Sequence, residues 1–174
     1  AIEAAADAVA QNIMANGGSV EEAARAASAK SIELGASTET ALAIAASSVS
    51  AAVVMSGGSQ DDAAKAAFDV ATGNGSSKEV AIEAAANAVA LAVMANGGNA
   101  EEAALAASAK AIELGATKET ALGMANRSTS AAILKNGGTA SDAGAAAYAA
   151  VIKAGGSKED AIEAALRAIM GGKL

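Results

Sequence analysis

Residues 1–40 read AIEAAADAVAQNIMANGGSVEEAARAASAKSIELGASTET, and residues 81–120 read AIEAAANAVALAVMANGGNAEEAALAASAKAIELGATKET. The two stretches agree at 30 of 40 positions without a gap. Residues 41–80 and 121–160 agree at 17 of 40, and residues 1–40 and 41–80 at 14 of 40. The unit is therefore 40 residues long, with a period of 80 laid over it. Residues 161–174, AIEAALRAIMGGKL, begin a fifth unit. Self-similarity at such a period marks tandem supersecondary units that stack on one another.

Glycine punctuates the period. Pairs fall at Gly17-Gly18, Gly57-Gly58, Gly97-Gly98 and Gly137-Gly138, and a second series at Gly35, Gly75, Gly115 and Gly155. Glycine just past a helix end supplies the left-handed position that closes the last turn. Each turn is followed by Ser19, Ser37, Ser59, Ser77, Asn99, Thr117, Thr139 or Ser157. Such side chains accept bonds from the free N–H groups of a new helix. Ser19 with Glu22, and Asn99 with Glu102, have the spacing of a capping box.

Between these signals the apolar residues recur at helical steps. Ile2, Ala5, Ala6, Val9, Ile13 and Met14 form one stripe, repeated by Ile82, Ala86, Val89, Val93 and Met94. The partner helix is expected to turn Ala23, Ala24, Ala27 and Ile32 inward, and its counterpart Ala103, Ala104, Ala107 and Ile112. The spacing predicts nine helices, near 1–15, 20–34, 38–56, 60–72, 78–95, 100–114, 118–136, 140–154 and 158–170. Short loops make neighbours antiparallel. The expected fold is all-α: an α-solenoid of tandem 40-residue helix-turn-helix repeats, with units 1–40, 41–80, 81–120 and 121–160 and a terminal capping helix in 161–174, all in one domain. This architecture resembles the helical-hairpin solenoids of the tetratricopeptide and HEAT kinds. The period is too long for the first, whose Trp, Tyr and Pro signature is also missing.

Composition narrows the chemistry. Of the 174 residues 56 are alanine, and there is no Pro, Cys, His or Trp. Alanine is the best helix former, so an uninterrupted helical chain with a core of small side chains follows. Lacking His and Cys, the chain is without the commonest general base, thiol nucleophiles and the usual zinc ligands. No enzyme, cofactor or metal site is expected. Glu21-Glu22, Asp61-Asp62 and Glu101-Glu102 are better explained as helix starts than as cation ligands, since acids there complement the helix dipole. Gly73-Asn74-Gly75-Ser76-Ser77-Lys78 resembles a phosphate loop but fails the Walker spacing and falls in register with the other turns.

The formal charge of −7, from 19 acids and 12 bases, disfavours nucleic acid and anionic membranes. The uncharged run Ala41 to Gln60 is long enough to raise a membrane span, but Ser47, Ser48, Ser50, Ser56 and the Gly57-Gly58 break weigh against one. A soluble chain is expected, and with Ala1 first it reads as processed, in a secreted or organellar compartment, or trimmed.

Phe68 and Tyr148, 80 residues apart at one repeat position, are expected to fill wide spots between alanine-lined helices. Ser47, Ser48 and Ser50, with Arg127, Ser128, Thr129 and Ser130 in the matching stretch, break the apolar pattern and form the candidate partner-facing patch. The competing account is a helix turned toward solvent. The function expected is that of a non-enzymatic structural, scaffold or linker protein, binding protein partners or itself along an alanine-rich surface. One alternative is an ice- or mineral-binding repeat, which thermal hysteresis would reveal. Its hydroxyls would need to form a regular row, yet most sit at caps. A designed repeat without natural function is the other, disfavoured by the uneven divergence of the units.

Overall fold

Each turn is sealed by its own residues. The Ser19 hydroxyl accepts from the Glu22 N–H at 3.1 Å, while the Glu22 carboxylate accepts from the Ser19 N–H at 2.8 Å. The same reciprocal box forms at Ser59–Asp62, Asn99–Glu102, Thr139–Asp142 and Ser157–Asp160. Ser37, Ser77 and Thr117 accept from the N–H three residues on, without an acid to reciprocate. The Ser59 hydroxyl, then its N–H, holds the Asp62 carboxyl below the ordinary aspartate range. Ser157 does the same to Asp160, and at Asp142 the Thr139 N–H is the larger cause.

The computed structural model describes residues 1–153 and 156–171. Among them are nine α-helices and no strand: α1 (Ile2–Ala15), α2 (Val20–Glu33), α3 (Thr38–Met55), α4 (Gln60–Gly73), α5 (Lys78–Ala95), α6 (Ala100–Glu113), α7 (Lys118–Lys135), α8 (Ala140–Lys153) and α9 (Lys158–Gly171). Every helix lies within one residue of its expected ends. The expected turn residue Gly155 and the last three residues of the 161–174 segment lie outside the described residues.

Helix ends use two glycines in two ways. Gly57 sits at φ +86° with open space around it, the left-handed conformation in which side chains are strained. Gly58 donates its N–H to the Val53 carbonyl at 2.9 Å and lies so close that an added Cβ would meet Val53 Cγ1 at 2.5 Å. The first glycine is needed for conformation and the second for room.

The chain divides into two compact units, Ala1–Ala88 and Val89–Leu174, with the division inside α5. In the first unit α1, α2 and α3 pack on one another and α4 packs on α3. Its core is built from Ala6, Ala10, Ala23, Ala27, Ala45, Ala63 and Ala67, all fully buried, around Val49. Among the described residues nothing larger than that valine is fully buried. In the second unit α7 packs on α6, and α8 packs on α7 and α9.

Two inward expectations are corrected. Ile32 and Ile112 are 48% and 44% exposed, and Ser31 and Ala111 hold the buried place beside them. The rows Ala23–Ala27–Ser31 and Ala103–Ala107–Ala111 step by four, so a residue one further on is rotated off the core. The Ser31 hydroxyl is satisfied inside because it donates to the Ala27 carbonyl at 2.9 Å. The aromatics fill no core gap either: Phe68 is half-buried and Tyr148 is 36% exposed. Helices faced with alanine meet too closely to leave room for a ring.

Candidate functional site

The hydroxyl-rich stretches of α3 and α7 lie mostly inside. Ser48, Ser50, Ser128, Thr129 and Ser130 are buried, Ser47 is half-buried, and Arg127 is exposed. A partner-facing role therefore has no surface at the five buried positions, and α3 and α7 do not turn these side chains to solvent. The physical reason is that a small hydroxyl can be satisfied locally. Ser50 donates to the Ala46 carbonyl at 2.7 Å and lies 3.2 Å from the Ala63 carbonyl of α4. Ser130 donates to the Asn126 carbonyl at 2.7 Å. The Ser48 hydroxyl donates to Asp7 of α1 at 2.7 Å, tying two helices across the unit.

Ser128 and Thr129 differ, because neither hydroxyl has a hydrogen-bond partner. A buried, unpaired hydroxyl is costly. Thr129 stands one period of 80 residues after Val49. Replacing Thr129 by valine is isosteric and removes the orphaned oxygen. The expected outcome is a gain of about 1 kcal/mol in unfolding free energy, read from urea denaturation.

A surface feature with room for a ligand is a groove of about 1080 Å³ between α2 and α4 in the first unit. Its floor is apolar: Val20, Ala24 and Ile32 from α2, Ala66 and Val70 from α4, with Met14 and Val53 beneath. Its rims carry Glu21 and Arg25 on one side and Asp62, Lys65 and Asp69 on the other. Lys65 and Asp69 pair at 2.5 Å along α4, which raises the Lys65 ammonium above its ordinary range. The groove follows from small residues. In the second unit Lys153 of α8 reaches across to pair with Glu101 of α6. In the first unit Gly73 occupies the place of Lys153 and has no side chain to bridge back to Glu21. The exposed Ile32 thus has a place, and the Gly73/Lys153 difference was the sequence signal for it.

A smaller cleft of about 370 Å³ lies between α7 and α9, with Gly123, Asn126, Arg127 and Leu134 on one wall and Ala164, Arg167 and Ala168 on the other. Arg167 pairs with Glu163 on its own helix, and the Asn126 side-chain oxygen is buried without a hydrogen-bond partner. Among the described residues no carboxylate lines this cleft.

The acid pairs are engaged elsewhere. Glu22, Asp62 and Glu102 each accept the N–H of the cap residue three positions earlier. Among the described residues no group of three potential metal ligands converges. The Gly73–Lys78 stretch is a helix-ending turn, in which the Gly75 N–H reaches the Thr72 carbonyl and the Ser76 N–H the Ala71 carbonyl, each at 3.0 Å. By length and composition α3 (Thr38–Met55) passes as a membrane span, alone among the described residues. Eight of its side chains are buried, and it packs on α1, α2 and α4.

No family model matches the chain, and no curated protein matches its sequence.

Proposed function

We propose that this chain is a non-enzymatic scaffold or linker protein that binds a protein segment along its helical surface. The finer architecture belongs to the same reading: an α-solenoid of repeats 1–40, 41–80, 81–120 and 121–160 with a terminal helix. What supports the solenoid is the in-register period together with the side-chain cap, three residues before the N–H it accepts, that recurs at the starts of α2 to α9.

The observation that carries the binding function is the α2–α4 groove. An apolar floor open to water, flanked by both signs of charge, suits a protein segment with a row of apolar side chains. Helix α2 has 14 residues, so the groove is roughly 20 Å long, enough for several turns of a docked helix. Rims of mixed sign favour neither polyanions nor polycations, which fits a protein ligand better than nucleic acid.

The experiment is gentle extraction of the chain from its source, followed by native mass spectrometry. The wild type is expected within a larger complex. Ile32→Glu places a charge on the groove floor at a position already half exposed. This variant is expected to keep its helicity and leave the complex. A wild type found alone, or an Ile32→Glu chain that stays in the complex, overturns the proposal.

A further inference from the structure

Asparagine precedes glycine at four turns: Asn16-Gly17, Asn74-Gly75, Asn96-Gly97 and Asn136-Gly137. All four asparagines are exposed. Such a side chain can be attacked by the backbone nitrogen of the next residue, and glycine, without a Cβ, obstructs that approach least. The nitrogen loses its proton to hydroxide and bonds to the side-chain carbonyl carbon, while the bond to Nδ2 breaks and ammonia leaves. Water then opens the five-membered imide at either carbonyl, giving aspartate or isoaspartate. The step uses no reagent beyond water and hydroxide.

The backbone does not separate the four. Each glycine has a positive φ, from +78° to +84°, and donates its N–H to the carbonyl three residues before it at 3.0 to 3.1 Å. Asn16, Asn74 and Asn136 share φ between −96° and −86° and ψ between 11° and 13°. Attack therefore waits in every case on local opening of the turn, the fraying that helix ends undergo.

The side chains do separate them. Asn16 Nδ2 donates to the Asn12 backbone carbonyl at 2.7 Å and to the Asn12 side-chain oxygen at 2.9 Å. Asn74 Nδ2 donates to the Val70 carbonyl at 2.6 Å. Both amides are tied to the preceding turn, and the tie must break before the carbonyl carbon can meet the glycine nitrogen. Among the described residues no hydrogen bond holds the side chain of Asn96 or Asn136. In register, the place of Asn12 is taken there by Ala92 and Ala132, both buried and without a side-chain acceptor.

We propose that Asn96 and Asn136 are sites of self-modification, converted by water to aspartate and isoaspartate ahead of Asn16 and Asn74. The product matters to the fold. The Gly98 N–H closes α5 on the Val93 carbonyl at 2.9 Å, and the Gly138 N–H closes α7 on the Ile133 carbonyl at 2.8 Å. Isoaspartate adds a methylene to the main chain just before that bond, where an added Cβ on either glycine would already lie 2.5 Å from the neighbouring side chain. Aspartate puts a negative charge at the helix C-terminus, which the helix dipole opposes. Each conversion thus loosens the end of α5 or α7.

The test is incubation of the purified full chain at mildly alkaline pH, with the acid formed at each asparagine followed by peptide mass spectrometry. Residues 14–18 and 94–98 are both Met-Ala-Asn-Gly-Gly, so Asn16 and Asn96 compare two placements of one local sequence. Asn96 and Asn136 are expected to convert about fivefold faster than Asn16 and Asn74, the rate equivalent of one hydrogen bond of roughly 1 kcal/mol. In urea that unfolds the chain, Asn16 and Asn96 are expected to convert at one rate. Equal rates at Asn16 and Asn96 in the folded chain overturn the proposal. So does a folded chain in which neither Asn96 nor Asn136 converts, or a difference between Asn16 and Asn96 that survives in urea.

Discussion

Replacing Ala63 by leucine is expected to lower the unfolding free energy by about 3 kcal/mol, near the top of the usual range for overpacking. Ala63 is fully buried at the start of α4, and its carbonyl faces the Ser50 hydroxyl of α3. The seam works because both helices present small groups there. Leucine adds three carbons with nowhere to go, so α4 must move off α3 or its side chain must leave its preferred rotamer. Helix propensity cannot explain the loss, since leucine ranks close to alanine. The matching control is Ala29→Leu, at an exposed site of α2, which should leave stability nearly unchanged. At roughly 2–4 °C per kcal/mol for a chain of this length, the Ala63 variant should melt about 6–12 °C below the wild type by circular dichroism.

The glycine pair gives the second large effect, and its two members should respond differently. Gly58→Ala puts a methyl 2.5 Å from Val53 Cγ1 and 2.9 Å from the Val53 carbonyl oxygen. The expected loss is about 2–3 kcal/mol, because the neighbour is a β-branched side chain with one preferred rotamer and a backbone atom behind it. Gly57→Ala meets no neighbour and suffers only the left-handed backbone, which costs about 1–2 kcal/mol. A second substitution separates the mechanisms. Val53→Ala should offset part of the Gly58→Ala loss, leaving the part due to the carbonyl, and should do nothing for Gly57→Ala. A thermodynamic cycle with equal couplings for the two glycines would refute this division.

These two cases show what could be read from the sequence alone. Helix ends are local: a glycine and a cap residue, joined at five starts by an acid three positions on, define the starts of α2 to α9, so the ends are legible to within one residue. The rotation of each helix was harder to see. When alanine fills both the buried row and its flanks, hydrophobic period alone does not choose between Ser31 and Ile32. The larger residue was expected inside, but close helix approach favours the smaller. The hydroxyls of α3 and α7 were misplaced for a related reason. Ser48, Ser50 and Ser130 are satisfied by Asp7 of another helix or by carbonyls four residues back, not by solvent. The α2–α4 groove has one signal in the sequence, the Gly73/Lys153 difference between repeats, and that signal gains meaning only once α2 and α4 are known to line one groove.

All eight seals at the starts of α2 to α9 close within three residues along the chain. An unequal crossover that inserts or removes forty codons in register therefore severs none of them and creates no helix without its start. Length is then a quantity that inheritance can change in whole steps, with the cost of each step confined to the packing between old neighbours and new.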